Sequence, residues 1–181
     1  MGESNMPDIF YTSDTHFTDK KAWNGRYDPK TLEEFFSVEE RDETIIQRWN
    51  SVVKPGDRVY HAGDVGFDKD TLGPILAQLN GKKRLLLGNH DHIERFPCLL
   101  EHFKKTFLYR DFGAFVVSHM PIPESLLKRR QISVHGHTHR EIHRQTGQSV
   151  RYLNICTENT NYTPVHFDTI MAYIEKECRF D

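Results

Sequence analysis

Short apolar runs that break off into polar clusters set the rhythm of this chain. Ile9, Phe10 and Tyr11 form a run too short and too bulky for a helix, and it stops at the polar stretch Thr12 to His16. It reads as a buried strand emptying into a loop. Val38, Ile45, Ile46 and Trp49 give one apolar side to Val38–Asn50, with Glu39, Glu40 and Asp42 loading the amino end, which predicts a helix. A turn at Lys54-Pro55-Gly56-Asp57 then leads to a strand at Arg58 to His61, a loop from Gly63 to Asp68 and a helix from about Asp70 to Leu79. Asn80-Gly81 turns the chain into the strand Arg84 to Leu87, which empties into Gly88-Asn89-His90-Asp91. Strand, loop, helix and strand repeated in this way are the sequence form of a βαβ progression.

The second half changes character. A weak helical stretch near Phe96 to Phe103 precedes strands at Thr106 to Tyr109 and Ala114 to Ser118, separated by the turn Asp111-Phe112-Gly113. Val150 to Ile155 and Val165 to Phe167 read as further strands, and Ile170 to Lys176 as a short helix capped by Asp168 or Thr169. Between Asp19 and Glu34 no period is sustained, which predicts a long excursion lying over a site. With no Gly/Ser linker and no low-complexity segment, the expectation is one α/β unit, residues 1–181, with more than one layer of sheet.

Composition narrows the function. The 24 basic and 26 acidic residues leave a net charge of −2, without the broad positive excess that non-specific DNA binding uses. The 3 cysteines suit neither a disulfide scaffold nor a CxxC metal pair, and there is no signal-peptide pattern or long apolar span. These features point to a cytoplasmic protein without a membrane partner. The 11 histidines stand apart, and suggest that imidazoles are being used.

Five polar clusters share one placement, each directly after an apolar strand: Asp14-Thr15-His16, Gly63-Asp64, Gly88-Asn89-His90, Ser118-His119 and Gly136-His137-Thr138-His139. The carboxyl ends of strands in an open α/β sheet converge on one crevice, so these groups can meet there. With His90 set aside they offer two carboxylates, one amide oxygen and four imidazoles, more than one ion can use. With one shared Asp the set divides between two cations, which can lower the pKa of a bridging water and neutralise phosphoryl oxygens. Asp64 suits the bridge, and Asn89 adds an oxygen without adding charge. His90 is placed to hydrogen-bond or protonate a phosphate or leaving group, and Asp91 to orient the loop or the ring.

These pieces resemble the calcineurin-like metallophosphoesterases, because DxH, GD, GNHD, SHxP and GHTH follow in the family's order from the first strand to His139. The resemblance implies a sandwich of two mixed β-sheets flanked by helices, of the compact bacterial or phage type. It further implies that Asp14, His16 and His139 ligate one metal, that Asn89, His119 and His137 ligate the other, and that Asp64 bridges them. The activity implied is hydrolysis of a phosphomonoester or phosphodiester, with His90 and Asp91 in catalysis. Mn²⁺ is the first choice of metal; Fe²⁺, Ni²⁺ and Zn²⁺ suit the same donors.

Other residues carry weaker expectations. Trp23, Arg26 and His92 are candidate substrate contacts, an aromatic face and a guanidinium following directly on a ligand loop. His61 and His135 read as packing or support behind the ligands, and the cysteines as small buried hydrophobes. Lys82-Lys83-Arg84 reads as a solvated strand start, and Lys128-Arg129-Arg130 as a solvated helix end within possible reach of phosphate. The substrate expected is a small molecule or nucleotide. A nucleic-acid phosphodiesterase would share every catalytic residue and differ only at the rim, and a silent metal-binding scaffold would have no use for His90.

Overall fold

The computed structural model describes residues 6–20, 35–92, 96–139 and 150–177. Its strands fall into two mixed sheets. The first holds β1 (Ile9–Thr12), β2 (Arg58–His61), β3 (Lys82–Leu86), β4 (Thr106–Phe107) and β9 (Val165–His166) in the order β4-β3-β2-β1-β9. All are parallel except β9, which runs against β1. The second holds β5 (Tyr109–Asp111), β6 (Phe115–Ser118), β7 (Ile132–His135) and β8 (Tyr152–Asn154) in that order, with only β5 antiparallel.

Parallel neighbours require crossovers, and helices supply them in the first half. α1 (Val38–Val52) joins β1 to β2, α2 (Lys69–Gln78) joins β2 to β3, and α3 (Phe96–His102) precedes β4. The Ser37 hydroxyl accepts the Glu40 N–H at 3.1 Å, and the Glu40 carboxylate reaches back to the Phe36 N–H, so α1 begins with reciprocal caps. α4 (Phe167–Glu177) starts earlier than expected. Asp168 therefore lies inside its first turn, its N–H on His166 Nδ1 at 3.2 Å, rather than capping it. The expected strand Thr106 to Tyr109 is really the end of one sheet and the start of the other, with exposed Leu108 between them.

Period-2 alternation sorts the first sheet's side chains into two cores. Phe10, Val59 and Leu85 join Ile45, Trp49, Leu72 and Leu99 under the helices. Tyr11, Tyr60 and Leu86 instead face Phe115, Val117, Ile132 and Val134 of the second sheet, with Ile170 of α4. The result is an α/β sandwich of two mixed sheets flanked by helices. No helix among the described residues is long and apolar enough to cross a membrane.

The first basic run departs from the expected solvated strand start, while Lys128-Arg129-Arg130 is exposed after a short helical turn, Glu124–Leu126, as expected of a solvated helix end. Lys82 is exposed, but Lys83 is buried with Nζ donating to Leu79 O at 2.6 Å, and burial pushes its pKa down. Arg84 donates to the Tyr60 hydroxyl at 2.6 Å, so only the first residue of that run is a solvated strand start. Lys128 pairs with Asp111 at 2.6 Å before the amino end of β7, the edge away from His119 and His137. It does not reach toward a phosphate at the strand carboxyl ends.

One buried ion pair ties a helix to the crevice. Arg41, fully buried on α1, pairs with Asp42 at 2.7 Å and donates to the carbonyl of His16 at 2.6 Å, while Asp42 accepts the Thr18 N–H at 2.7 Å. Arg41→Met strands the Asp42 carboxylate, and urea unfolding is expected to show a loss of about 3–5 kcal/mol. A loss below about 1 kcal/mol, the range of exposed pairs, would show the pair to be incidental.

Candidate metal centre

Every one of the five clusters lies at the carboxyl end of a parallel strand. β1 leads to Asp14 and His16, β2 to Asp64, β3 to Asn89, β6 to His119, and β7 to His137 and His139. To aim these side chains inward the backbone adopts left-handed φ at Asp14 (57°), His16 (45°), Asp64 (56°), His137 (68°) and His139 (47°). That conformation costs about 1–2 kcal/mol per non-glycine residue, so surrounding structure must impose it. Interlocking amides do so: Asp14 N–H on Gly63 O at 3.0 Å, His16 N–H on Asp64 O at 3.1 Å, Gly136 N–H on His119 O at 2.9 Å. The loops interleave so closely that a Cβ at Gly136 would overlap the Ser13 side chain and the Asp14 carboxylate.

Two groups of donor atoms result, sharing one carboxylate oxygen. In the first, Asp14 Oδ1 is 3.6 Å from His16 Nε2 and 3.8 Å from His139 Nε2, and His16 Nε2 is 3.6 Å from Asp64 Oδ2. In the second, His119 Nε2 is 3.4 Å from the same Asp64 Oδ2 and 2.8 Å from Asn89 Oδ1, which lies 2.9 Å from His137 Nδ1. Asp64 Oδ1 is occupied by the N–H of His90 at 2.8 Å, which leaves Oδ2 to face both groups. The seven residues expected as ligands therefore lie together at one crevice, with Asp14, Asp64 and His119 clustering across the two groups.

The donor chemistry fits cations. Asp14 Oδ1 and His16 Nε2 are buried without a hydrogen-bond partner, which buried polar atoms rarely are. His119 Nδ1 lies 2.8 Å from Ala62 O, so its proton is committed there and the Nε2 lone pair points at the Asn89 oxygen. Two lone pairs at that distance repel unless positive charge lies between them. Burial would raise the pKa of Asp14, but His16, His119, the Ser13 hydroxyl and the His137 N–H outweigh it and hold the carboxyl below the usual range. Mixed oxygen and nitrogen donors of this kind suit a divalent transition metal.

The remaining residues separate clearly. The His90 ring stands at the edge of the first group, 5.7 Å from the His16 ring and 5.2 Å from Phe67. His92 is exposed, its ring 6.2 Å from that of His90, while Trp23 and Arg26 lie outside the described residues. Asp91 is buried, and its carboxylate accepts the N–H groups of Gly88 at 2.8 Å, Asp64 at 3.0 Å and Val65 at 3.0 Å. Its oxygens are spent on backbone, so the catalytic expectation for Asp91 gives way to that of orienting the loops of Asp64 and Asn89. His61 is buried and donates to Thr15 Oγ1 at 2.9 Å, its pKa lowered to about 4 by burial. His135 is buried with Nδ1 on Gly136 O at 2.8 Å, and both act as support.

Two contacts had no counterpart in the sequence reading. Cys156, expected as a small hydrophobe, is buried with Sγ 3.2 Å from Asp14 Oδ2. Glu158 places Oε1 3.0 Å from His139 Nδ1. Among the described residues, the carboxylate, imidazole and thiol groups whose donor atoms cluster within 4.8 Å are Asp14, Asp64 and His119, and Asp14, His139 and Cys156.

The family model for the calcineurin-like phosphoesterases matches residues 8–172. The chain belongs to this family. A calcineurin-like phosphoesterase of this size has similar relatives in an archaeon and a phage. It is 30% identical over 179 residues to the uncharacterized protein MJ1445 of Methanocaldococcus jannaschii, covering 95% of this chain and 94% of that one. It is 29% identical over 180 residues to the Gene 66 protein of Mycobacterium phage L5, covering 77% of this chain and 84% of that protein. The crystal structure of AQ665 from Aquifex aeolicus, a protein of unknown function, shares the fold, with a TM-score of 0.69 at 24% identity over 92% of this chain and 99% of that one.

The Asp91 contacts make a prediction about this calcineurin-like phosphoesterase that does not involve turnover. Asp91→Ala leaves buried backbone N–H groups without acceptors, and thermal unfolding of the chelator-treated protein is expected to show a loss of about 1–3 kcal/mol or more. Unchanged stability would show that the carboxylate does not organise these loops.

Proposed function

We propose that this protein is a metal-dependent phosphoesterase that uses two divalent cations, one held by Asp14, His16 and His139, the other by Asn89, His119 and His137, with Asp64 between them. The observation that carries this reading is the shared Asp64 Oδ2, 3.6 Å from His16 Nε2 and 3.4 Å from His119 Nε2. Two cations about 3.5–4 Å apart activate water as a nucleophile and clamp the oxygens of a phosphoryl group in displacement. Mn²⁺ is the proposed ion, with Fe²⁺, Ni²⁺ and Zn²⁺ as substitutes.

The chain's own residues supply the rest. Imidazole and amide ligands are neutral, so the charge of the cations is only partly cancelled and an anionic phosphate is attracted. Asp64 is held in orientation through the His90 N–H on its other oxygen. The His90 ring, set beside His16 rather than among the donors, hydrogen-bonds a phosphoryl oxygen or protonates the leaving oxygen. His92 and the Trp23–Arg26 stretch are proposed to contact the substrate. The substrate is a small or accessible phosphoester, since a net charge of −2 gives no broad surface for duplex nucleic acid. We place the activity in the cytoplasm, where the free thiols of Cys98 and Cys156 stay reduced.

Hydrolysis of bis-p-nitrophenyl phosphate in Mn²⁺ tests the reading directly. Turnover is expected to vanish in EDTA and to return when metal is restored. Protein shown to hold two ions yet inert with Mn²⁺, Ni²⁺, Fe²⁺ and Zn²⁺ would be a metal-binding scaffold instead.

His90→Ala separates catalysis from metal holding. Metal content is expected to stay intact while kcat/KM falls by about 10²–10⁴, the usual contribution of a positioned acid. The loss should be smaller for a p-nitrophenyl ester than for an alkyl ester if proton donation dominates, because p-nitrophenolate leaves without a proton. Equal losses would assign His90 to charge stabilisation, and normal kinetics would remove it from the site.

A further inference from the structure

The crevice receives the carboxyl ends of β1, β2, β3, β6 and β7, and it also receives the carboxyl end of β8. The segment that follows β8, Asn154-Ile155-Cys156-Thr157-Glu158-Asn159, contains no histidine or aspartate. Nevertheless its polar side chains turn toward the first donor group. Asn154 Nδ2 donates to His139 O at 2.8 Å and to Thr138 Oγ1 at 2.9 Å, and Asn159 Nδ2 donates to His139 O at 2.6 Å. Cys156 Sγ donates to Asp14 Oδ2 at 3.2 Å and Thr157 Oγ1 to Asp14 O at 3.0 Å. Glu158 Oε1 lies 3.0 Å from His139 Nδ1, its side chain 5% exposed. Thr157 N–H donates to Ser13 O at 3.1 Å, and Ser13 and Cys156 pair as an isolated parallel bridge, so the segment is fastened to the end of β1.

We infer that residues 154–159 are a positioning strap for one cation site only, the site of Asp14, His16 and His139. This rests on the two-cation reading above. The strap fixes both ligands that distinguish this site and that it touches. Asp14 Oδ2 takes hydrogen bonds from the Ser13 hydroxyl, the His137 N–H at 2.9 Å and the Cys156 thiol, which saturates that oxygen and leaves Oδ1 to face the ion. Glu158 accepts a hydrogen bond from the Nδ1–H of His139, which fixes the tautomer with its lone pair on Nε2, the atom facing Asp14 Oδ1. A carboxylate behind a ligating imidazole both orients the ring and raises its basicity. The other site is supported by different groups: His119 has the neutral carbonyl of Ala62 behind it at 2.8 Å, and Asn89 rides on the loop that Asp91 ties down. The strap's contacts to ligand side chains are thus confined to Asp14 and His139, while His137 shares the loop of His139 and its N–H meets Asp14 Oδ2, so the weakening expected is unequal between the two sites. Glu158 and Cys156 are positioning residues, acting through His139 and Asp14.

The test reads metal rather than turnover. Mn²⁺ titration of the full chain by calorimetry, with electron paramagnetic resonance to distinguish paired from single ions, is run on Glu158→Ala, Glu158→Gln and Asn89→Ala. Glu158→Ala is expected to weaken one of two sites by about 10–100-fold, so that at limiting Mn²⁺ the paired signal gives way to that of a single ion. Glu158→Gln, whose amide oxygen accepts the same N–H, should recover most of that affinity. Asn89→Ala should weaken the other site, and the double variant should lose both. Equal weakening of both sites by Glu158→Ala, or no weakening, overturns the strap. Should circular dichroism show Glu158→Ala unfolded, Cys156→Ala against Cys156→Ser reads the same site. The alanine is expected to lose affinity and the serine, still a donor to Asp14 Oδ2, to keep it; identical binding by the two overturns the strap. Fewer than two Mn²⁺ on the unmodified protein overturns the two-cation reading and the strap with it. Two Mn²⁺ that the strap variants leave untouched overturns the strap alone.

Discussion

Two buried carboxylates within reach of one imidazole nitrogen, Asp14 Oδ1 and Asp64 Oδ2 each 3.6 Å from His16 Nε2, set the terms for the rest of this molecule. An ionised carboxylate taken out of water costs several kcal/mol after relaxation unless it is paired and hydrogen-bonded. Each therefore has one oxygen tied to the protein, Asp14 Oδ2 by three donors and Asp64 Oδ1 by a backbone amide, while the other is left to the crevice. Bringing them together requires parallel strands with their carboxyl ends aligned. Parallel strands require crossovers, and the helices that make those crossovers form one of the two cores. The buried Arg41, whose guanidinium reaches from α1 to the His16 carbonyl, is where that outer helical layer and the charged centre meet.

Much of this was legible in the sequence because the strands are short and their ends abrupt. Alternation in the first sheet, Phe10 against Tyr11 and Val59 against Tyr60, places successive residues in different cores, and this is what the apolar runs encode. The candidate ligands were legible for a related reason. Any one Asp, Asn or His after an apolar run can be an ordinary turn residue, but the set recurring at five strand ends points to chemistry. That the donors exceed one ion followed from valence, whereas their division into two groups about Asp64 was implied by the resemblance to the calcineurin-like phosphoesterases.

What escaped reading consists of ordinary residues made special by position. Asn154 ends an expected strand, Thr157 and Asn159 look like a loop, and Cys156 like a small core residue, until the second sheet aligns β8 with β7 and carries them to the crevice. No local pattern announces which sheet a two-residue strand will join, so Thr106 to Tyr109 reads as one strand when it serves both sheets. The buried ammonium of Lys83 escaped for a similar reason: a basic run at a strand start looks solvated, and only the nearby end of α2 supplies the carbonyl it needs. Asp91 beside Asn89 and His90 invited a chemical role, whereas three backbone amides claim it.

The left-handed backbone at Asp14, His16, Asp64, His137 and His139 bears on how such a chain can change over generations. At each of these positions glycine would relieve the backbone, by about 1–2 kcal/mol, while deleting a donor. Backbone comfort and the proposed cation sites thus pull these codons in opposite directions. A descendant in which the crevice went unused could take glycine readily at His16, whose ring makes no hydrogen bond, whereas glycine at Asp14 or Asp64 would leave the His137 and His90 N–H groups without their acceptors.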